Sequence, residues 1–286
     1  MVIAILVDGI VQGLQLSLMA VGITLIYGLG GVLNLAHGQF AVVGGIATAL
    51  FVGKGLSPLV ASSLGVLTAG VFGLVVDRTL LLPAYRSAGE ERLLLGLLIT
   101  LGLSFVVNGY LDFQYPNIAL TLHLATPSVN VAGITVRTAS AVTSLMAFLA
   151  FLLLFVFLKG TLLGKSVRSI IQNEVGAGLC GINPGRTRTL IVALSAMMAG
   201  LAGIAQGLFS SLGTEMGNEL TTFALIVAVV GGVRSVNGTL VAGVLLGIVN
   251  AFASYYVGAY LTLIILLGTA VFTILLRPAG LFAYRT

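Results

Sequence analysis

The 286 residues are 58% hydrophobic and only 7% charged, with 38 glycines and a mean hydropathy of +1.17. A soluble domain carries about 25% charged residues, so this chain could not cover its own surface in water and is read as an all-α polytopic membrane protein. The net charge of +5 and pI near 9.6 do not indicate a nucleic-acid binder, because the thirteen basic residues are scattered between apolar runs and form no patch.

A helix needs about 20 mainly apolar residues to cross a bilayer. Runs of that kind cover 3–27, 29–52, 58–76, 93–111, 138–158, 189–211, 219–233, 239–257 and 259–276, which predicts 8–9 transmembrane helices in a single transmembrane domain over 1–286. The first run has no Lys or Arg before it and reads as a span, not a cleaved signal peptide. The only cysteine, Cys180, excludes an intrachain disulfide, and with no Trp an interfacial belt must use the eight tyrosines.

Basic residues gather on the cytoplasmic side of membrane proteins. On alternate loops, one side holds Arg78, Arg86, Arg92, Lys159, Lys165, Arg168, Arg186, Arg188, Arg234, Arg277 and Arg285, and the other only Lys54 and Arg137. This asymmetry predicts an external N-terminus, a cytoplasmic 159–188 loop and a cytoplasmic C-terminus.

The stretch KGTLLGKSVR at 159–168 imitates a phosphate-binding loop, but Lys159 stands where its first glycine is required and Gly160 comes one residue late. It also follows a membrane span, SLMAFLAFLLLFVFL, where a P-loop needs a buried strand of a soluble domain. Lys159, Lys165 and Arg168 are therefore read as cytoplasmic-face anchors, and the chain as one that does not hydrolyse ATP.

Ion-coupled carriers usually keep ionisable side chains inside the membrane. Here the eight acids, Asp8, Asp77, Glu90, Glu91, Asp112, Glu174, Glu215 and Glu219, all fall at span ends or in loops, and His37 alone lies well inside a span. No metal-ligand spacing, nucleophile with a base, or paired carboxylates occur in a span. The sequence thus predicts no enzyme, no cofactor and no metal, leaving a passive pore or a permease driven by a partner.

In the 159–188 loop, SIIQNEVGAGLCGIN at 169–183 is too polar to span. Ile170, Ile171, Val175, Leu179 and Ile182 recur at helical spacing and predict a short amphipathic helix lying along the membrane. Gly176 and Gly178 fall within it, each costing about 1 kcal/mol relative to Ala.

Glu174, Ala177 and Gly181-Ile182-Asn183 make this loop resemble the cytoplasmic loop of ABC importer permeases, where a short helix followed by a glycine docks on an ATPase. TLIYGLGGVLNLAHGQFAVVGG at 24–45, with its tyrosine, glycine pair and Asn34-Leu35-Ala36-His37-Gly38 run, closely resembles the start of LivH-type branched-chain amino acid permeases. VAVVGGVRSVNGTLVAGVLLG at 227–247 is similar to that family's late glycine-rich segment. The resemblance implies a permease subunit of an ATP-driven importer for branched-chain or related small amino acids, in a bacterial-type inner membrane. It implies as partners a second related permease in a heterodimer, two ABC ATPase subunits, an external solute-binding protein and the lipid bilayer. The alternatives are a stand-alone secondary carrier or facilitator of urea, an amide or an amino acid, and a membrane scaffold that carries nothing.

GLGGVLNLAHG at 28–38 and VVGGVRSVNG at 229–238 share a Gly-Gly-Val and fit a parallel internal repeat. The pairs Gly30-Gly31 and Gly231-Gly232 are candidate helix breaks, whose freed backbone groups could line a cavity. Asn34, His37 and Gln39 cluster beside the first break and are the leading candidates for the translocation path, ahead of Gln12, Gln15, Asn108, Gln206 and Asn250.

Overall fold

With no water in the hydrocarbon region to bond free N–H and C=O groups, so apolar a chain satisfies its backbone by helix formation. The computed structural model describes residues 2–115, 122, 129–131, 134–277 and 280–282, so Arg285 of the predicted basic tail lies outside the described residues. In order these residues form α1 (Val2–Gly30), α2 (His37–Gly53), α3 (Pro58–Val76), a π-helical turn (Asp77–Leu81), α4 (Leu82–Arg86) and α5 (Gly89–Gln114). A small antiparallel hairpin follows, β1 (Val129–Val131) with β2 (Ile134–Val136), pairing Asn130 with Thr135. The remainder is α6 (Thr138–Gly160), α7 (Leu162–Gln172), α8 (Glu174–Leu179), α9 (Pro184–Phe209), α10 (Met216–Gly231), α11 (Val236–Tyr256) and α12 (Ala259–Leu276).

Each of the nine predicted apolar runs falls on a helix. Among the described residues, six helical stretches are long and apolar enough to cross a bilayer: α1, Pro58–Arg86, α5, α6, α9 and α11. The other three are shorter. With 16 residues, α10 rises only about 24 Å, less than the ~30 Å hydrocarbon core.

Three boundaries differ from the sequence reading for identifiable reasons. The second helix starts at His37, not near residue 29, because residues 31–36 are non-helical. The third run does not stop at Val76 but continues through the π turn into α4. Pro83 sits in the first turn of α4, and widening the preceding turn avoids the clash of its ring with the carbonyl four residues back. Asp77 is consequently not at a span end: it lies inside this continuous stretch and is 4% exposed. The predicted single amphipathic helix of the 159–188 loop is two helices, α7 and α8, because Asn173 leaves helical geometry and caps α8, accepting a bond from the Gly176 N–H at 2.8 Å.

Small residues set the packing. α1 runs antiparallel to α11 with Gly9, Gly13 and Ser17 facing Ile248, Val244 and Leu240. A Cβ on Gly13 would stand 2.6 Å from the Val244 Cα, so the backbones touch as they do in small-residue membrane seams. α9 is the central helix, packed on α1, α2, α3 and α6. Its Gly200 and Gly203 lie against Gly44 and Ala41 of α2.

Gly13→Val should therefore cost about 1–3 kcal/mol by overpacking and lower the thermal midpoint in detergent. Gly102→Val, at a position with nothing within 4 Å, should leave that midpoint unchanged.

Candidate functional site

The non-helical segment between α1 and α2 enters the bundle, with Val32, Asn34 and Ala36 buried and Gly31, Leu33 and Leu35 half-buried. Gly31 adopts a φ of +61° just past the end of α1, a conformation that suits glycine. The chain then turns back along α1, and His37, the first residue of α2, lies beside Gly22. Gly22 precedes the end of α1 by eight residues, about 12 Å of helix. Val32 packs into the space left by Gly96 of α5.

Unpaired backbone groups here would be costly, and side chains of neighbouring helices bond them. The Leu35 N–H donates to Thr100 Oγ1 of α5 at 3.0 Å, and the Gly38 N–H to Thr221 Oγ1 of α10 at 2.8 Å. Asn34 Oδ1 accepts the Ala36 N–H at 2.9 Å. The first turns of α2 and α10 meet at this point, since a Cβ on Gly38 would overlap the Gly217 carbonyl.

Asn34, His37 and Gln39 are all 0% exposed and lie in packed protein within the bundle. His37 forms an edge contact with Phe40, and among the described residues neither ring nitrogen meets a partner with hydrogen-bond geometry. Gln39 Nε2 donates to Asn108 Oδ1 at 2.9 Å and to Ser104 Oγ at 3.2 Å, and Ser104 Oγ donates to Asn218 Oδ1 at 2.6 Å. Asn108 and Asn218 line a surface depression shared by α5 and α10, so Gln39 is one side chain away from solvent-accessible space.

The second glycine pair has a related geometry. α10 ends at Gly231, Gly232 has a φ of +100°, and Ser235 caps α11 through the Gly238 N–H at 3.1 Å. Gly231 and Gly238 are in backbone contact, and Thr239 of α11 hydrogen-bonds Thr24 of α1 at 2.8 Å.

At the end of α1, the residues picked out in the 159–188 loop take different orientations. Glu174 points inward: its carboxylate accepts bonds from Arg188 of α9 and, at 3.4 Å, from Arg92 of α5. Ala177 is buried, and Ile182 packs partly into the core. Gly181, with a φ of +83°, ends α8, and Asn183 caps α9 by accepting the Arg186 N–H at 3.1 Å. The outward face of α8 is instead apolar, with Val175 74% and Leu179 86% exposed.

Arg92 and Arg188 extend this clamp in directions that the sequence left unmarked. Arg92 also donates to the carbonyls of Ser87 at 2.8 Å and Gly30 at 3.4 Å. The Arg188 guanidinium lies 4.7 Å from the centre of the Tyr85 ring, and Tyr85 packs on Gly30. The next residue, Thr189, donates to the buried Asp77 at 2.6 Å. Arg188, counted in the sequence among the basic residues of the cytoplasmic side, is 7% exposed and belongs to α9. A basic residue beside the family-like loop was the only available signal for this role.

A family profile described as "Branched-chain amino acid transport system / permease component" matches residues 5–276, and the chain belongs to that family. It is 27% identical to the high-affinity branched-chain amino acid transport system permease protein LivH of Escherichia coli (strain K12), over 96% of this chain and 93% of that protein. It is 24% identical to the corresponding BraD protein of Pseudomonas aeruginosa, over 96% and 94%. Among solved structures, PsaBC from Streptococcus pneumoniae in complex with Fab superposes with a TM-score of 0.51 at 14% identity, over 94% of this chain and 89% of that one, a likeness of fold.

Thr221→Val removes the acceptor for the buried Gly38 N–H and should cost about 1–3 kcal/mol, read as a lower thermal midpoint in detergent. Thr222→Val, at an exposed neighbouring position, should not.

Proposed function

We propose that this chain is the membrane-spanning permease subunit of an ATP-driven importer for branched-chain or related small amino acids delivered by a solute-binding protein. It would lie in a bacterial-type inner membrane, with its C-terminus and the 159–188 loop cytoplasmic and its N-terminus external. A second related permease would form a heterodimer with it, and two ABC ATPase subunits would hydrolyse the ATP. Family membership supports the class of protein. The observation that carries the coupling mechanism is the two-faced α8, exposed and apolar at Val175 and Leu179 and clamped through Glu174 to Arg92 and Arg188.

The physical sequence runs from the ATPase to the break. An ATPase groove accepts Val175 and Leu179, while Glu174, Ala177, Gly181, Ile182 and Asn183 hold α8 against the bundle. Displacement of α8 pulls on Arg92 and Arg188 through the Glu174 carboxylate. Arg92 bonds the Gly30 carbonyl, at the last residue before the break, so force on α8 reaches the point where α1 gives way to α2. The glycine pairs 30–31 and 231–232 then act as the pivots of the two breaks. Gln39 contributes to the path through Asn108 and Asn218, and Asn34 and His37 hold the buried turn beside it.

In proteoliposomes holding the full complex, leucine uptake should require ATP and the binding protein. Glu174→Ala should lower that uptake by about tenfold or more, the scale of a lost charge-assisted contact, while ATP hydrolysis continues. Leucine uptake by this chain alone, driven by an ion gradient, would contradict the proposal and favour the stand-alone carrier.

A further inference from the structure

At the opposite end of the bundle from Glu174, a cavity of about 420 Å³ opens between α1, α9, α10 and α11. This size falls within the roughly 300–1,000 Å³ of small-molecule sites. Three charged side chains from three helical elements line it: Asp8 of α1, Glu219 of α10 and Arg137 at the start of α6. Among the described residues none of the three forms an ion pair, whereas Glu174 at the other end takes two arginines.

The walls are carboxamides already fixed to one another. Gln15 donates to Gln206, and Asn250 donates to Gln12 Oε1 at 2.7 Å. These bonds hold the wall side chains in place and leave the second polar atom of Gln12, Gln15 and Asn250 for a guest. Apolar surface comes from Leu16, Met19, Leu220 and Phe223. Met19 also lies one turn of α1 before Gly22, which is in contact with the His37 ring.

We infer that this cavity is a transient solute-binding subsite for a zwitterionic amino acid with an apolar side chain. Arg137 takes the α-carboxylate, Asp8 and Glu219 take the ammonium group, and the side chain rests on Leu16, Met19, Leu220 and Phe223. An amino acid carries both charges wherever it goes, and the charges buried in the spans, Asp77 and Arg188, are already engaged by Thr189 and Glu174. The ends of α1, α6 and α10 provide both signs around one cavity. The inference rests on the importer reading above, in which Asp8 lies toward the external face: it precedes Gly30 by 22 residues, about 33 Å along α1. An external binding protein would release its solute on that side. The exposure of all three charges keeps them hydrated when the site is empty and makes binding weak, as a hand-over station requires.

The test uses the full complex with Cys180→Ser in this chain, so that the chain keeps no native thiol, and Ser210→Cys, an exposed position on the cavity wall, with modification read on this chain alone. The introduced thiol is modified with a small cationic methanethiosulfonate. Leucine at twice its Kd should slow modification about threefold, since occupancy protects by 1 + [L]/Kd. The singly charged analogues 4-methylpentanoate and 3-methylbutylamine should not protect at the same concentration. Arg137→Gln and Glu219→Gln should each abolish protection by leucine while the complex still elutes as one species. Equal protection by the analogues, or none by leucine, with ATP-driven leucine uptake intact, overturns the subsite and leaves the importer reading standing. Absence of both protection and ATP-driven uptake overturns the two together.

Discussion

Non-helical backbone within a membrane protein is tolerated only where protein or a water-filled cavity satisfies it, and the rest of this fold is arranged around one such stretch. Residues 31–36 leave helical geometry inside the bundle. Thr100, Thr221 and Asn34 bond their exposed N–H groups or those that follow. Each of these partners requires a helix close by. α5 must lie near enough for Val32 to fill the space over Gly96, and α10 near enough for Gly217 to touch Gly38. The shortness of α2 follows directly, because it starts within the bundle and not at its surface.

Rigid and yielding parts are chemically distinct. The α1–α11 contact and the α2–α3–α9 packing are glycine and alanine seams with backbone against backbone, and such contacts resist sliding because displacement creates overlap or voids. The breaks are held by single hydrogen bonds from threonine, serine and asparagine, which can exchange partners at modest cost. The Glu174 clamp joins the two kinds of region. It ties α8 to α5 and α9 and, through Arg92, to the end of α1. In the proposed coupling, a motion applied at the exposed apolar face of α8 would meet stiff helices and be taken up at the glycine pairs.

Much of this was legible from residue order because it depends on local pattern. Nine apolar runs mapped to nine helices, and the defective P-loop spacing at 159–168 was settled by the span before it. The family followed from three motifs, in which His37, the glycine pairs and Gly181 stand where the chain turns or ends a helix. What was not legible depends on partners distant in sequence. Asp77 read as a span-end charge because nothing near it names Thr189, more than a hundred residues away. Arg188 counted only as a loop charge because its neighbours, Tyr85 and Glu174, come from other elements. The spacing of Ile170, Val175 and Leu179 concealed the interruption at Asn173, since a cap leaves hydrophobic periodicity intact while restarting the helix. The cavity near Asp8 was missed for the same reason: Arg137 and Glu219 are far apart in sequence and converge only in the bundle.

The central claim is that this chain works as one part of an ATP-driven assembly, and the mass of the intact complex tests it most directly. The tagged chain would be released from native membranes in mild detergent and weighed without dissociation. The account predicts a species containing this chain, a second permease and two ATPase subunits. A species containing only copies of this chain would contradict it and leave the apolar face of α8 as a surface resting on lipid.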